Sequence, residues 1–231
     1  MWKRNAFFVI VFLLSGCSNI TILDPKSETG KDQAYLIWFS LAIMSLVLLT
    51  VFVLFTIFVF KYREKKQKGE LPKDIKGHLK LELTWTIIPI VLLLILAIPT
   101  VKITMDQSPS TKASQNQNGI HINVEAKQFE WAFQHENGKK ATNKLVLPEE
   151  ESIILHLKSE DVIHSFWVPE LAGKVDVFPN KELTYVIEDP EIGQYDGKCA
   201  EFCGTHHAKM IFDVEVVSMT DYESYINEKA D

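Results

Sequence analysis

Two long stretches without a single charge decide what this chain can become. Gln33 to Phe60 carries no Asp, Glu, Lys or Arg, and neither does Leu83 to Val101. An apolar run of about 20 residues is what an α-helix needs to cross a bilayer, where every backbone polar group must be satisfied within the segment. The runs predict two transmembrane helices, about 34–60 and 83–103, within an N-terminal segment 17–103. Between them, Lys61 to Glu82 holds eight lysines and arginines against four acids. A short basic loop stays on the cytoplasmic side. Both ends of the hairpin then face outward, and residues beyond about 104 form an external domain.

Upstream, MWKRNAFFVIVFLLSGC has a basic start, a short apolar stretch and small residues at its end. That is the build of a secretory signal peptide, covering 1–16. Leu-Ser-Gly-Cys resembles a bacterial lipobox, which predicts cleavage before Cys17 and lipidation of that cysteine. The net charge of −6 hides an asymmetry. From Thr104 onward there are 23 acids against 11 lysines, while the remainder carries 13 bases and 7 acids. An acidic external domain argues against nucleic acid and for a basic protein partner, although solubility alone also accounts for it.

The stretch DQSPSTKASQNQNG (106–119) is polar and aperiodic, so 104–119 reads as a linker. From Ile120 the pattern changes to short β-branched or aromatic runs: HINVEAKQFEWAF, NKLVLP, SIILHLK, DVIHSFWVP, ELTYVIE and IFDVEVV. Such runs, separated by Gly, Pro, Asn or Asp, predict an all-β sandwich or barrel over 120–231. Near the end, Tyr222, Tyr225 and Ile226 share helical spacing, so a short helix is expected to pack on the barrel.

The chemistry concentrates in CAEFCGTHHAKM, residues 199–210. Two cysteines outside the cell usually form a disulfide. Their neighbours offer an alternative, because Cys, His and Met together are the soft ligand set that copper prefers. Gly204 permits a tight turn between the thiols and His207. A second histidine must come from elsewhere, and His164 in VIHSFWVP is the candidate.

Cys-x-Glu-x-Cys-Gly-x-x-His-x-x-Met with an upstream His-Ser-x-x-Val-Pro resembles the dinuclear copper A site of cytochrome c oxidase subunit II. The order of two spans followed by an external domain is similar too. The resemblance implies a two-helix transmembrane hairpin followed by an all-β cupredoxin-like Greek-key barrel. It implies Cys199 and Cys203 as thiolates bridging two copper ions, His164 and His207 as one ligand on each, and Met210 and the Glu201 carbonyl as weak ligands. The Glu201 side chain would reach a magnesium ion shared with subunit I. His206 is one short of the pattern and is expected to be exposed or to lie behind the ligands.

Further matches carry further expectations. ELTWTIIP (82–89) resembles the start of the family's second span, which places Glu82 at a proton-path entrance in the membrane; a glutamate anchoring a helix end is the plainer reading. KVD (174–176) resembles the segment facing subunit I, implying an interface role for Lys174 and Asp176. The family's aromatic run, which receives the electron from cytochrome c, is Gln-Phe-Glu-Trp here. Phe129 and Trp131 are its candidates, and Glu130 departs from the pattern. No Cys-x-x-Cys-His is present, so no haem is expected in this chain and the donor is a separate cytochrome. The implied assembly is a bacterial plasma-membrane oxidase, with subunit I carrying haem, other oxidase subunits beside it, and both termini of this chain outside. Two alternatives stay open: a quinol oxidase subunit of the same fold, whose members lack the copper ligands, and a copper-delivery or thiol-redox protein using the two cysteines as a dithiol.

Overall fold

The computed structural model describes residues 20–63, 76–110 and 118–228. The signal peptide, Cys17, much of the basic loop and the middle of the linker lie outside the described residues. The chain forms two compact units: Tyr35–Ser108 is one, and the N-terminal residues through Ala34 join Pro109–Asp231 in the other.

Two helices dominate the first unit, α1 (Glu28–Lys61) and α2 (Leu79–Asp106). Both are long and apolar enough to cross a membrane. Each extends beyond its uncharged run at both ends, α1 from Glu28 to Lys61 and α2 from Leu79 to Asp106. Glu28 and Lys31 pair at 3.0 Å in the first turn of α1, and the His78 ring accepts from the Leu81 N–H at the start of α2. Hydroxyls inside the spans bond back to the preceding turn, as Thr50 does to Leu46 at 2.8 Å and Thr100 to Leu96 at 2.8 Å. That satisfies them where no water is at hand.

Ten strands form the second unit: β1 (Ile120–Lys127), β2 (Glu130–His135), β3 (Lys140–Thr142), β4 (Lys144–Pro148), β5 (Ile153–Ser159), β6 (His164–Trp167), β7 (Val175–Val177), β8 (Leu183–Ile187), β9 (Gly193–Cys199) and β10 (Ile211–Val217), followed by α3 (Met219–Asn227). They make two five-stranded sheets, β3-β2-β1-β5-β8 and β4-β10-β9-β6-β7. Each sheet mixes one parallel pair, β1 with β5 and β4 with β10, into antiparallel neighbours. This is the all-β sandwich that the short β-branched and aromatic runs predict, and it is consistent with the cupredoxin-like barrel that the resemblance implies.

Inward residues of both sheets build one core. Trp131, Phe133, Phe166 and Phe212 cluster with ring centroids 5.1–5.8 Å apart. Each such side chain contributes roughly 1.5–3 kcal/mol by leaving water. Three strands escape the sequence pattern. β3 and β7 are only three residues long. β9, GQYDGKC, carries little apolar signal because Gly197 replaces a core side chain: a Cβ there would stand 2.1 Å from the Phe212 ring, so that ring fills the space instead.

Two corners depart from the expected layout. HINVEAKQFEWAF is a hairpin rather than one strand, turning at Gln128–Phe129 through a cis peptide bond. Between β3 and β4 the chain changes sheets at Asn143, whose φ of 53° turns it. The Asn143 side-chain oxygen and N–H both bond the Trp131 backbone, each at 2.8 Å, and its carbonyl accepts from Asp213 at 2.9 Å. The linker is also shorter than 104–119. Thr104–Asp106 completes α2, and Ser110 exchanges two backbone bonds with Thr184 of β8.

Residues 26–28, just before and at the start of α1, are tied to the sandwich. Lys26 N–H bonds the Glu170 carbonyl at 2.7 Å and Glu28 N–H bonds the Glu188 carbonyl at 3.0 Å. Buried Ser27 donates to the Leu171 carbonyl. α3 docks through Tyr222, whose hydroxyl meets the Nδ1 of buried His135 at 2.9 Å.

Candidate metal centre

Three pieces of backbone meet at one end of the second sheet. β6 opens on His164, β9 ends on Cys199, and the loop to β10 carries Cys203, a short 3-10 turn (His207–Lys209) and Met210. Pairing fixes these pieces against one another. Cys199 N–H bonds the Met210 carbonyl at 2.9 Å, which closes the loop on itself. Ala200 N–H bonds the Ser165 carbonyl at 2.9 Å, which ties the loop to β6.

The ligand-type atoms converge. Cys199 Sγ lies 3.9 Å from Cys203 Sγ, 3.8 Å from His164 Nδ1 and 3.3 Å from the Glu201 carbonyl oxygen. Cys203 Sγ lies 3.7 Å from His207 Nδ1 and 3.7 Å from Met210 Sδ. His164, Cys199, Cys203 and Met210 are all buried, and His207 is half-buried. Both cysteines are free thiols. A disulfide would bring the sulfurs to about 2.05 Å. At 3.9 Å they sit closer than twice a metal–thiolate bond of about 2.3 Å, so both can reach one ion at once. Two soft sulfurs, a thioether and two imidazole nitrogens suit copper and suit neither calcium nor magnesium. The donor set fits a copper centre.

The two thiols are electrostatically unequal. Burial opposes ionisation of Cys199, but hydrogen bonding to His164 and to the backbone at Ser165 and Glu201 outweighs it, taking the thiol down to about 6. Burial and the neighbouring Cys199 push Cys203 up to about 11. The two thiols interact, so their protons belong to the pair, with hydrogen bonding from His164 favouring a thiolate on the Cys199 side.

Sequence reasoning missed the residue that orients His164. Asp161 Oδ1 bonds His164 Nε2 at 2.8 Å and accepts the Val162 N–H at 2.6 Å. Its Oδ2 accepts the Gln128 N–H at 2.8 Å. Burial works against the Asp161 carboxylate, yet these bonds hold it below its usual range. With Nε2 occupied, Nδ1 is the nitrogen turned to the sulfurs, the arrangement in which an outer carboxylate fixes a metal-binding imidazole. Aspartate three residues before a histidine was the available signal. Gln128 was missed as well; its side-chain amide donates to the Cys203 carbonyl.

The remaining predicted residues are placed as follows. Phe129 is half-buried beside Gly204, and the exposed His206 ring lies against it with centroids 5.1 Å apart. Trp131 is fully enclosed, because alternation along β2 points it into the core, where its edge meets the His164 ring at 6.1 Å. Of the two, Phe129 is the one that reaches the surface. Lys174 and Asp176 form an exposed ion pair at 3.3 Å. Glu82 sits exposed in the first turn of α2, outside the metal cluster. Phe202, which the sequence did not single out, is 77% exposed and packs edge-on to His207.

Comparison with known proteins places the chain in a family. The family model for the cytochrome c oxidase subunit II transmembrane domain matches residues 16–103, and that for the subunit's periplasmic domain matches 134–217. Cytochrome c oxidase subunit 2 of Alkalihalophilus pseudofirmus is 38% identical, covering 98% of this chain and 69% of that protein. Quinol oxidase subunit 2 of Bacillus spizizenii is 32% identical, covering 96% of this chain and 70% of that one. The periplasmic domain of subunit II of cytochrome oxidase from Bradyrhizobium japonicum aligns with a TM-score of 0.44 and 26% identity, over 46% of this chain and 90% of that structure. Two apolar helices, a sandwich and matches that run nearly end to end leave one conclusion: the chain belongs to the cytochrome c oxidase subunit II family and is a membrane component of an oxidase complex.

Proposed function

We propose that this chain is the electron-receiving subunit of a cytochrome c oxidase, taking single electrons from cytochrome c outside the membrane. The observation that carries the reading is the convergence of two free, buried thiols 3.9 Å apart with His164, His207, Met210 and the Glu201 carbonyl. Cys199, Cys203, His164 and His207 would hold copper A, with Met210 and the Glu201 carbonyl as weak ligands. When bound, that centre supplies a one-electron carrier whose charge is spread over two metals and two thiolates. The protein's part is to keep the ligands still and dry. Asp161 locks the His164 ring, the Cys199–Met210 backbone bond pins the loop, and Trp131 packs against His164 and Phe166 of β6 and helps exclude water.

The family includes quinol oxidase subunits, and the 32% relative is one. The six ligand positions, all filled here, favour the cytochrome-oxidising branch. A dithiol redox protein would need neither the Met210 sulfur nor His207 beside Cys203.

The wider assignments follow from the same reading. Subunit I would carry the haem groups, oxygen reduction and proton translocation, with Lys174 and Asp176 at that contact and Glu82 at the proton-path entrance. The Glu201 carboxylate would join a magnesium ion shared with subunit I. Localisation is the bacterial plasma membrane, with both termini outside and Cys17 lipid-anchored after removal of 1–16. The oxidase complex purified with this chain should oxidise reduced cytochrome c and leave quinol untouched. Oxygen uptake driven by quinol, with none driven by cytochrome c, would assign it to the other branch.

A further inference from the structure

Within the run Gln-Phe-Glu-Trp (128–131) few rings reach the surface, although Phe202 in the ligand loop is exposed. Glu130 occupies the middle of the aromatic run and is held by Lys127 in an ion pair at 2.7 Å. Trp131 is 0% exposed. Phe129 is left, and it is half-buried. Its ring is met from outside by His206, with centroids 5.1 Å apart and planes inclined by 59°.

His206 is well placed for more than solvation. It is exposed, yet its ring is steadied by a contact of 3.1 Å between Nδ1 and Thr205 Oγ1. Its carbonyl accepts the Lys209 N–H at 2.8 Å, and it starts the 3-10 turn that carries His207. One peptide bond therefore joins it to a ligand, and one ring contact joins it to Phe129. Gly204 makes the approach possible. Its φ of 136° suits glycine, and a Cβ there would stand 3.2 Å from two Phe129 ring carbons and 2.9 Å from the Gln128 amide nitrogen.

We propose that His206 and Phe129 act as one electron-receiving pair, in which the His206 ring takes the place of the aromatic that Glu130 gives up. This rests on the copper A reading above. The donor it fits is a small basic haem protein, because the residues from Thr104 onward carry 23 acids against 11 lysines. One electron leaves the donor's iron(II), which becomes iron(III), and reaches the centre through the ring pair and the His207 peptide. No bond forms or breaks and no proton moves.

The test uses the intact purified oxidase with His206→Asn, His206→Phe, Phe129→Ala and the Asn/Ala double variant. The probe is a reduced, soluble, lysine-rich cytochrome c, with hexaammineruthenium(II) as a small reductant that needs no docking patch. His206→Asn should slow electron uptake from cytochrome c by about tenfold, the scale of losing one interface aromatic. His206→Phe should restore most of it, and the ruthenium rate and the paramagnetic resonance spectrum of the centre should not move. The double variant should be less than additive, as expected for groups in contact. In metal-free protein, carbethoxylation of His206 by diethyl pyrocarbonate should be suppressed by saturating oxidised cytochrome c.

Wild-type uptake by His206→Asn, a His206→Phe variant as slow as His206→Asn, or unsuppressed labelling would each overturn the proposal. A changed copper spectrum in His206→Asn would overturn it too, by showing that His206 acts on the shape of the ligand loop. Absence of copper from the wild type is a separate failure. It would remove the copper A reading before any variant is made.

Discussion

The two halves of the metal cluster are built differently. On the β6 side, His164 is 0% exposed, lies in a regular strand and is gripped through its far nitrogen by Asp161. On the loop side, His207 is half-buried between an exposed Phe202 and an exposed His206, in a loop that needs Gly204 to turn. The thiols divide the same way. Despite its burial, Cys199, at the end of β9, is favoured as a thiolate by hydrogen bonding to His164, whereas burial and the neighbouring Cys199 disfavour the charged form of Cys203 in the loop. One side therefore holds its ligand in a buried, regular strand, and the other carries its ligand in a partly exposed loop. A centre with one wall fixed changes little in shape when its charge changes, which is what rapid single-electron transfer requires.

The largest effect tests the shared sulfurs. Cys203→Ser should abolish the dinuclear centre, since serine leaves the loop with no thiolate to bridge. Metal analysis should fall below two coppers per chain, and a variant that kept both with an unchanged spectrum would remove the bridging role. Asp161→Ala comes next and strikes the fixed side. Loss of an outer carboxylate should weaken copper binding by about 10–100-fold, measured by competition with a chelator, with Asp161→Asn milder. If Asp161→Ala bound copper as tightly as wild type, the strand side would not be set by that bond. Met210→Leu should keep both coppers and shift only the reduction potential and transfer rate, because a thioether is a weak axial ligand. An unchanged potential would take Met210 out of the ligand set.

The smallest effect lies away from both halves. His135 is buried against Tyr222 and Tyr225, with Nε2 unpartnered. Burial, helped by Lys139, lowers its pKa from 6.5 to about 4. The unfolded chain therefore takes up the proton first as pH falls. Stability that is full above about 6.5 should decline until pH reaches about 4 and then level off. Denaturant titration across this range should show that slope, and His135→Phe should flatten it while the copper spectrum stays put.

The sequence was most legible where spacing carries chemistry or periodicity carries burial. The spacing in CAEFCGTHHAKM points to every ligand-type atom that the loop brings together, and alternation in IFDVEVV and SIILHLK marks β10 and β5. It was least legible where a residue works by its absence or by a long-range bond. Gly197 hides β9 because the Phe212 ring occupies its place. Asn143 swaps sheets through a left-handed backbone that no apolar pattern announces. Asp161 and Gln128 look like surface polar residues until folding brings β1, β6 and the ligand loop together. Trp131 follows the general rule over the motif: a large aromatic in a strand usually packs inside, and the alternation of β2 turns it into the core.

The most direct measurement is copper content and paramagnetic resonance of the intact, membrane-purified protein. Two coppers per chain with a seven-line hyperfine pattern, from one unpaired electron shared over two equivalent nuclei, is the predicted result. A chain with one copper or none, and with Cys199 and Cys203 joined in a disulfide, would contradict the account.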